Sequence, residues 1–167
     1  MFIHALIQSL DRALASVERL VAIALTAALT AIMITQVILR YFFNAPLFWA
    51  EEIAVQLLVF ITLIGLSLLV HGGQLVTIDF LSQALGPRGR GVLSIALGLG
   101  FLMLLAFVAK LGWDWVMRAD VRLELGATTQ LPRWYNYALL PGAMLAMAFH
   151  QFAALLRQVR GLAGARA

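Results

Sequence analysis

Apolar and charged positions fall in long blocks along the chain. Four windows contain no Asp, Glu, Lys or Arg: Leu20–Leu39, Ile53–Val70, Gly91–Ala109 and Trp134–Leu156. They are 20, 18, 19 and 23 residues long, and a helix of roughly 20 apolar residues crosses a bilayer core about 30 Å thick. Each window therefore predicts a transmembrane helix. Residues 1–19 follow a different rule. Ile3, Leu6, Ile7, Leu10, Leu14 and Val17 recur at helical spacing, with Gln8, Asp11, Arg12, Ala15 and Arg19 on the other side. This predicts an amphipathic helix lying in the membrane interface, or else a plain extension of the first span along a partner.

The connections carry their own signals. His71-Gly72-Gly73-Gln74 breaks the second helix where glycine permits it. Thr77 to Leu85 reads as a short helix, capped by Thr77 and stopped by Gly86-Pro87. The third helix is expected to run on to Leu125 and stop at Gly126. Small residues one turn apart, among them Ala27/Ala31, Ser94/Gly98, Ala96/Gly100 and Gly142/Ala146, allow close helix approach in lipid.

Composition agrees with this pattern. Hydrophobic residues make up 63% of the 167 and charged residues only 12%, against about half and about a quarter in soluble domains. A soluble enzyme is excluded. Four spans use the whole length, so 1–167 forms a single all-α integral membrane domain. With no cysteine, disulfides and thiol chemistry are excluded as well.

The net charge of +4 does not indicate nucleic acid, because the basic residues sit at span ends. They report topology instead. The side holding both termini carries seven arginines and the other side five basic residues, four of them in one connection shared with Asp114, Asp120 and Glu124. Both termini are expected in the cytoplasm. Trp49, Trp113, Trp115, Trp134, Tyr135 and Tyr137 then form the outer aromatic belt. The N-terminus lacks a convincing cleavage site and is expected to be retained.

Candidate chemistry is sparse. His150 is the ionisable group well inside a window, and a neutral ring bonded to a neighbouring helix is the plain reading of it. Ligation of a haem by His71 and His150 needs rings at matching depth, and counting from the window edges separates them. Only Pro141-Gly142 offers a possible helix break for a midplane site. The densest polar group is the outer hairpin. There Asn44 or Ala45 is expected to cap the second helix, Pro46 to take its first turn, and Glu51 and Glu52 to meet its positive end. Arg40 would pair with one of the two glutamates.

The run Arg40-Tyr41-Phe42-Phe43-Asn44-Ala45-Pro46-Leu47-Phe48-Trp49-Ala50-Glu51-Glu52 resembles the signature of the small, DctQ-like membrane subunit of tripartite ATP-independent periplasmic (TRAP) transporters. Gly72-Gly73-Gln74-Leu75-Val76-Thr77-Ile78-Asp79 is similar to a later family stretch, with Gln74 where a histidine is usual and Asp79 kept. Leu131-Pro132 and Pro141 resemble the prolines around the family's fourth span. The resemblance implies a small permease subunit in the bacterial inner membrane. It would scaffold a large membrane subunit for sodium-coupled uptake of an organic acid delivered by a periplasmic binding protein. Sodium would then be bound by the large subunit, with no cofactor here. It marks Arg40, Tyr41, Asn44, Pro46, Trp49, Glu51, Glu52 and Asp79 as structural or interface residues. Two rivals are a haem-bearing anchor of a redox complex and a self-contained small transporter.

Overall fold

The computed structural model describes residues 2–74 and 86–164. Among them the regular structure is helical: α1 Phe2–Phe42, α2 Ala50–Gly72, α3 Pro87–Val116, α4 Ala119–Leu123 and α5 Trp134–Gly164. Four of these helices are long and apolar enough to cross a membrane, with mean hydropathy of 2.2, 2.7, 2.6 and 1.6 in their best windows. The expected short helix at Thr77–Leu85, and Asp79 with it, lie outside the described residues.

The N-terminal segment takes the second of its two expected forms, a continuous extension of the first span. No break separates an interfacial helix from the first span; α1 is one helix of 41 residues. At 1.5 Å per residue it is about 60 Å long, twice the bilayer core. Part of its polar side turns inward: Asp11, Ala15 and Glu18 are buried, while Arg12 and Arg19 stay exposed. Amphipathy therefore reports a buried polar contact with α2 and α5.

α5 is the central helix. α3 packs along one side of it, α2 and the N-terminal part of α1 along the other, and α1 also runs beside α2. Val70 of α2, Leu105 of α3, and Ala143 and Met147 of α5 form the apolar core, with Leu63, Phe101, Met144 and Ala148 around them. Pro141 does not break α5, which is helical on both sides of it. The ring is buried and fills the space left by Gly112, where an added Cβ would stand 3.2 Å from it.

Helix ends follow local chemistry. Gly73, at φ 63°, caps α2: its N–H and that of Gln74 donate to the carbonyls of Val70 and Leu69, which is the Schellman arrangement. Pro87 takes the first turn of α3, where its missing N–H costs nothing. α3 stops at Val116 rather than Leu125. Arg118 is extended and restarts the chain as α4, gripping Asp120 through two bonds of 3.1 and 2.7 Å. That grip holds the Asp120 carboxyl below its ordinary range.

Of the small-residue pairs, Ser94/Gly98 lies at a helix interface. The Gly98 carbonyl accepts from Gln151 at 3.2 Å, and Ser94 donates to Gln158 at 3.2 Å. A Cβ at Gly98 would meet Leu155 and Gln151 at 2.6 and 2.9 Å, whereas one at Gly100 or Gly142 meets nothing within 4 Å. Gly98→Val is therefore expected to cost about 1–3 kcal/mol by overpacking, and Gly100→Val little. Thermal unfolding of the two variants in detergent checks the contrast, and equal melting points would contradict it.

Candidate functional site

Polar chemistry gathers at the two ends of the bundle. The far end holds the C-terminus of α1, the N-terminus of α2, and the connection from α3 to α5. Here α1 closes at Asn44, whose φ of 49° is a left-handed conformation that asparagine tolerates. The N–H groups of Phe43 and Ala45 both return to the Leu39 carbonyl.

Asn44 thus ends α1 instead of capping α2, and Pro46 lies in the turn instead of the helix. α2 starts at Ala50, after Trp49, with no side-chain cap. The delay has a cause: Leu47 N–H donates to the Gln36 side chain of α1 at 2.9 Å, and the Leu47 carbonyl accepts from Ala50. The turn is tied to α1 before the helix begins.

Glu52 is the best-anchored residue of the far end. Its carboxylate accepts from the backbone N–H and hydroxyl of Thr128, at 2.8 and 2.5 Å, and from those of Thr129, both at 3.1 Å. The segment offering these donors is a tight hairpin. Leu125 bridges Pro132, Gly126 N–H donates to the Leu131 carbonyl at 2.8 Å, and Arg133 N–H donates to that of Glu124 at 2.9 Å. Arg133 also pairs with the Glu124 carboxylate at 3.0 Å, and that carboxylate accepts from the Tyr137 hydroxyl at 3.1 Å. The Glu124 contact lifts the Arg133 guanidinium further above its ordinary range. Gly126 is needed for close approach, since any Cβ there would collide with Glu52 and Thr129.

The expected Arg40 ion pair is not formed. Among the described residues Arg40 has no carboxylate within 4.0 Å, because Glu52 points to the threonine loop. Arg40 instead lies 5.9 Å from the Tyr41 ring. It lines a recess of about 250 Å³ with Gln36, Pro46 and Glu51. Tyr41, Phe42, Phe43, Phe48 and Trp49 are exposed. Of the signature residues the fold brings Arg40, Pro46 and Glu51 to one recess, puts Asn44 and Trp49 at helix ends, and commits Glu52 elsewhere.

The near end holds a cluster that the sequence reading missed. His150 is fully buried, with Nδ1 2.6 Å from Asp11 Oδ1 and Nε2 3.2 Å from Glu18 Oε2. Ser67 donates to Glu18 at 2.7 Å, and Arg157 donates to Asp11 Oδ2 at 3.1 Å. His71 Nδ1 lies 3.2 Å from the same oxygen. Three helices, α1, α2 and α5, meet through these side chains.

His150 is bonded to a neighbouring helix as expected, but through a carboxylate on each ring nitrogen, so that two acids lie within the packed interior. The His71 and His150 rings do match in depth, with centroids 4.9 Å apart and edge to face. The register explains the difference: the Tyr135 hydroxyl meets Gln56 at 3.4 Å, so α5 starts more than a turn deeper than α2. Rings in direct contact leave no space for a haem between them. A signal was present in the sequence, since Asp11 and Glu18, like His150 and Arg157, stand seven residues apart and so share a helix face.

Four apolar crossings around a small core, one helix with hardly any cover, and polar groups closed on one another define a helical membrane subunit built to stand beside other proteins. Residues 29–161 match the family model described as "Tripartite ATP-independent periplasmic transporters, DctQ component", and the chain belongs to that family. It is similar to the sialic acid TRAP transporter small permease protein SiaQ of Vibrio cholerae serotype O1, at 27% identity over 95% of this chain and 90% of that one. Over 48% of its length it is 35% identical to a stretch of the sialic acid TRAP transporter permease protein SiaT of Haemophilus influenzae, covering 12% of that longer protein. The chain is thus a small permease subunit of a TRAP transporter and not an enzyme. Its partner in the membrane is the large permease.

Proposed function

We propose that this subunit is a scaffold for the large permease during sodium-coupled uptake of an organic acid, and that substrate and sodium are bound by the partner. The observation that carries the reading is the state of the interior polar groups. Asp11, Glu18, Ser67, His150 and Arg157 are engaged with one another across three helices, which suits a brace better than a transport site. A midplane site in a transporter draws on broken helices with free backbone groups, and α5 is helical through Pro141.

The large permease would lie along α1. Only 6% of the apolar window of that helix is buried, and Ala22, Thr26, Ala27, Thr30 and Ala31 line a shallow groove on it. The threonine hydroxyls there donate to their own helix, leaving a surface fit for a close helix contact. The arginine bias supports both termini in the cytoplasm and Arg40–Glu52 in the periplasm.

The test uses the complex reconstituted with its binding protein. Ala27→Trp is expected to lower co-purification of the large permease severalfold. Glu51→Gln and His150→Ala, compared at matched complex levels, should leave substrate preference and sodium requirement unchanged. A shift in either property would place part of the transport site in this chain and overturn the reading. A cytoplasm-only reporter fused after Ala167 should be active; an inactive fusion would reverse the topology.

A further inference from the structure

The near-end cluster contains more than the ion pairs a brace requires. One carboxylate and two imidazoles, each from a different helix, converge: the ligand atoms of Asp11, His71 and His150 all lie within 4.8 Å of one another. We propose that these three residues form a binding site for a zinc-class divalent cation.

Three features of the surroundings point to a metal. The first is the donor set. Two imidazole nitrogens and a carboxylate oxygen are the ligands that borderline transition cations prefer, zinc above all. Sodium, magnesium and calcium favour oxygen donors, so the site is separate from any coupling ion.

The second is the support behind His150. While Nδ1 faces the site, Nε2 meets the Glu18 carboxylate at 3.2 Å, and Ser67 holds Glu18 at 2.7 Å. A carboxylate on the far nitrogen is the arrangement that fixes the tautomer and orientation of a metal-bound histidine. Arg157 does similar work on Asp11: it holds Oδ2 at 3.1 Å, while Oδ1 faces His150.

The third is an unmet group. His71 Nδ1 is a buried atom with no hydrogen bond of acceptable geometry, although Asp11 Oδ2 is 3.2 Å away. A nitrogen left unpaired in a packed interior is costly, and a cation between the three residues would engage it. His71, one quarter exposed where the other two ligands are closed off, leaves a route in from the near face. Because the ligands come from α1, α2 and α5, an occupied site would clamp those three helices together.

The experiment uses the tag-free complex of this chain with its large permease, stripped with chelator and dialysed against Zn²⁺ and, separately, Co²⁺. One Zn²⁺ should bind per complex, and Co²⁺ should give the visible bands of a site with nitrogen and oxygen ligands. His71→Ala lies on the rim and is expected to fold; with Asp11→Asn it should abolish stoichiometric binding. Glu18→Gln should weaken binding on the order of 10–100-fold, as the loss of a supporting carboxylate does. No stoichiometric Zn²⁺ in the wild type would overturn the proposal, as would equal binding by His71→Ala and Asp11→Asn, and the cluster would then be a proton-filled ion-pair network. If the variants do not assemble, the Co²⁺ spectrum of the wild type decides alone, its absence counting against the site.

Discussion

His150→Ala is expected to destabilise the subunit by about 3–5 kcal/mol, the cost of removing one partner from a buried charge network. The imidazole is fully enclosed and stands between Asp11 and Glu18, so its loss leaves two carboxylates facing each other in a dry interior. Neither has water to turn to, since Asp11 is 1% and Glu18 8% exposed. Of the two carboxylates Arg157 reaches Asp11 alone, sharing its donors with Gln8, and Ser67 reaches Glu18 alone. Melting of the full chain in detergent, with chelator present throughout, measures the loss independently of any metal. The triple change Asp11→Leu, Glu18→Leu and His150→Leu should recover most of it, because apolar groups of similar volume replace such networks at little cost. An unchanged melting point for His150→Ala would show that water reaches the cluster.

Glu52→Ala is expected to release the Glu124–Arg133 hairpin. That segment has little cover of its own, and its attachment to α2 runs through the four bonds that Thr128 and Thr129 donate to one carboxylate. Charge-assisted bonds of this kind are about twice as strong as neutral ones. Their loss together should expose the loop to proteolysis between Ala127 and Leu131. Glu52→Gln should behave as an intermediate, since it keeps one accepting oxygen. Gly126→Val should reproduce the alanine variant by pushing the loop off the carboxylate. Limited proteolysis of reconstituted protein, followed by peptide mass, distinguishes these outcomes. Equal cleavage of wild type and Glu52→Ala would show that the hairpin stands alone.

The spans were legible because burial in lipid imposes a coarse rule: charge is costly over about 20 residues, and the four windows obey it. The glycine break at Gly73 was legible for a local reason, the left-handed conformation of that residue. What escaped depended on register between helices far apart in sequence. Asp11 and Glu18 share a helix face, but that spacing does not say that His71 and His150 will stand over Asp11. Its place among Gln8, Arg12 and Arg19 reads as a wet face. Glu52 escaped for the same reason, because the threonines that claim it lie 76 and 77 residues on. Arg40 was the nearer partner in sequence and lost to backbone N–H groups that no spacing rule reveals.

The unbroken run of α1 gives the subunit a mechanical character. A helix of about 60 Å without a hinge behaves as a lever: a tilt of about ten degrees about one end carries the other through about 10 Å. Tyr41 and Asn44 sit at one tip, with Asp11 near the opposite one. A push on the Tyr41 tip would be carried along α1 toward the Asp11 end, where the helix is tied to α2 and α5, since no break along the way absorbs it.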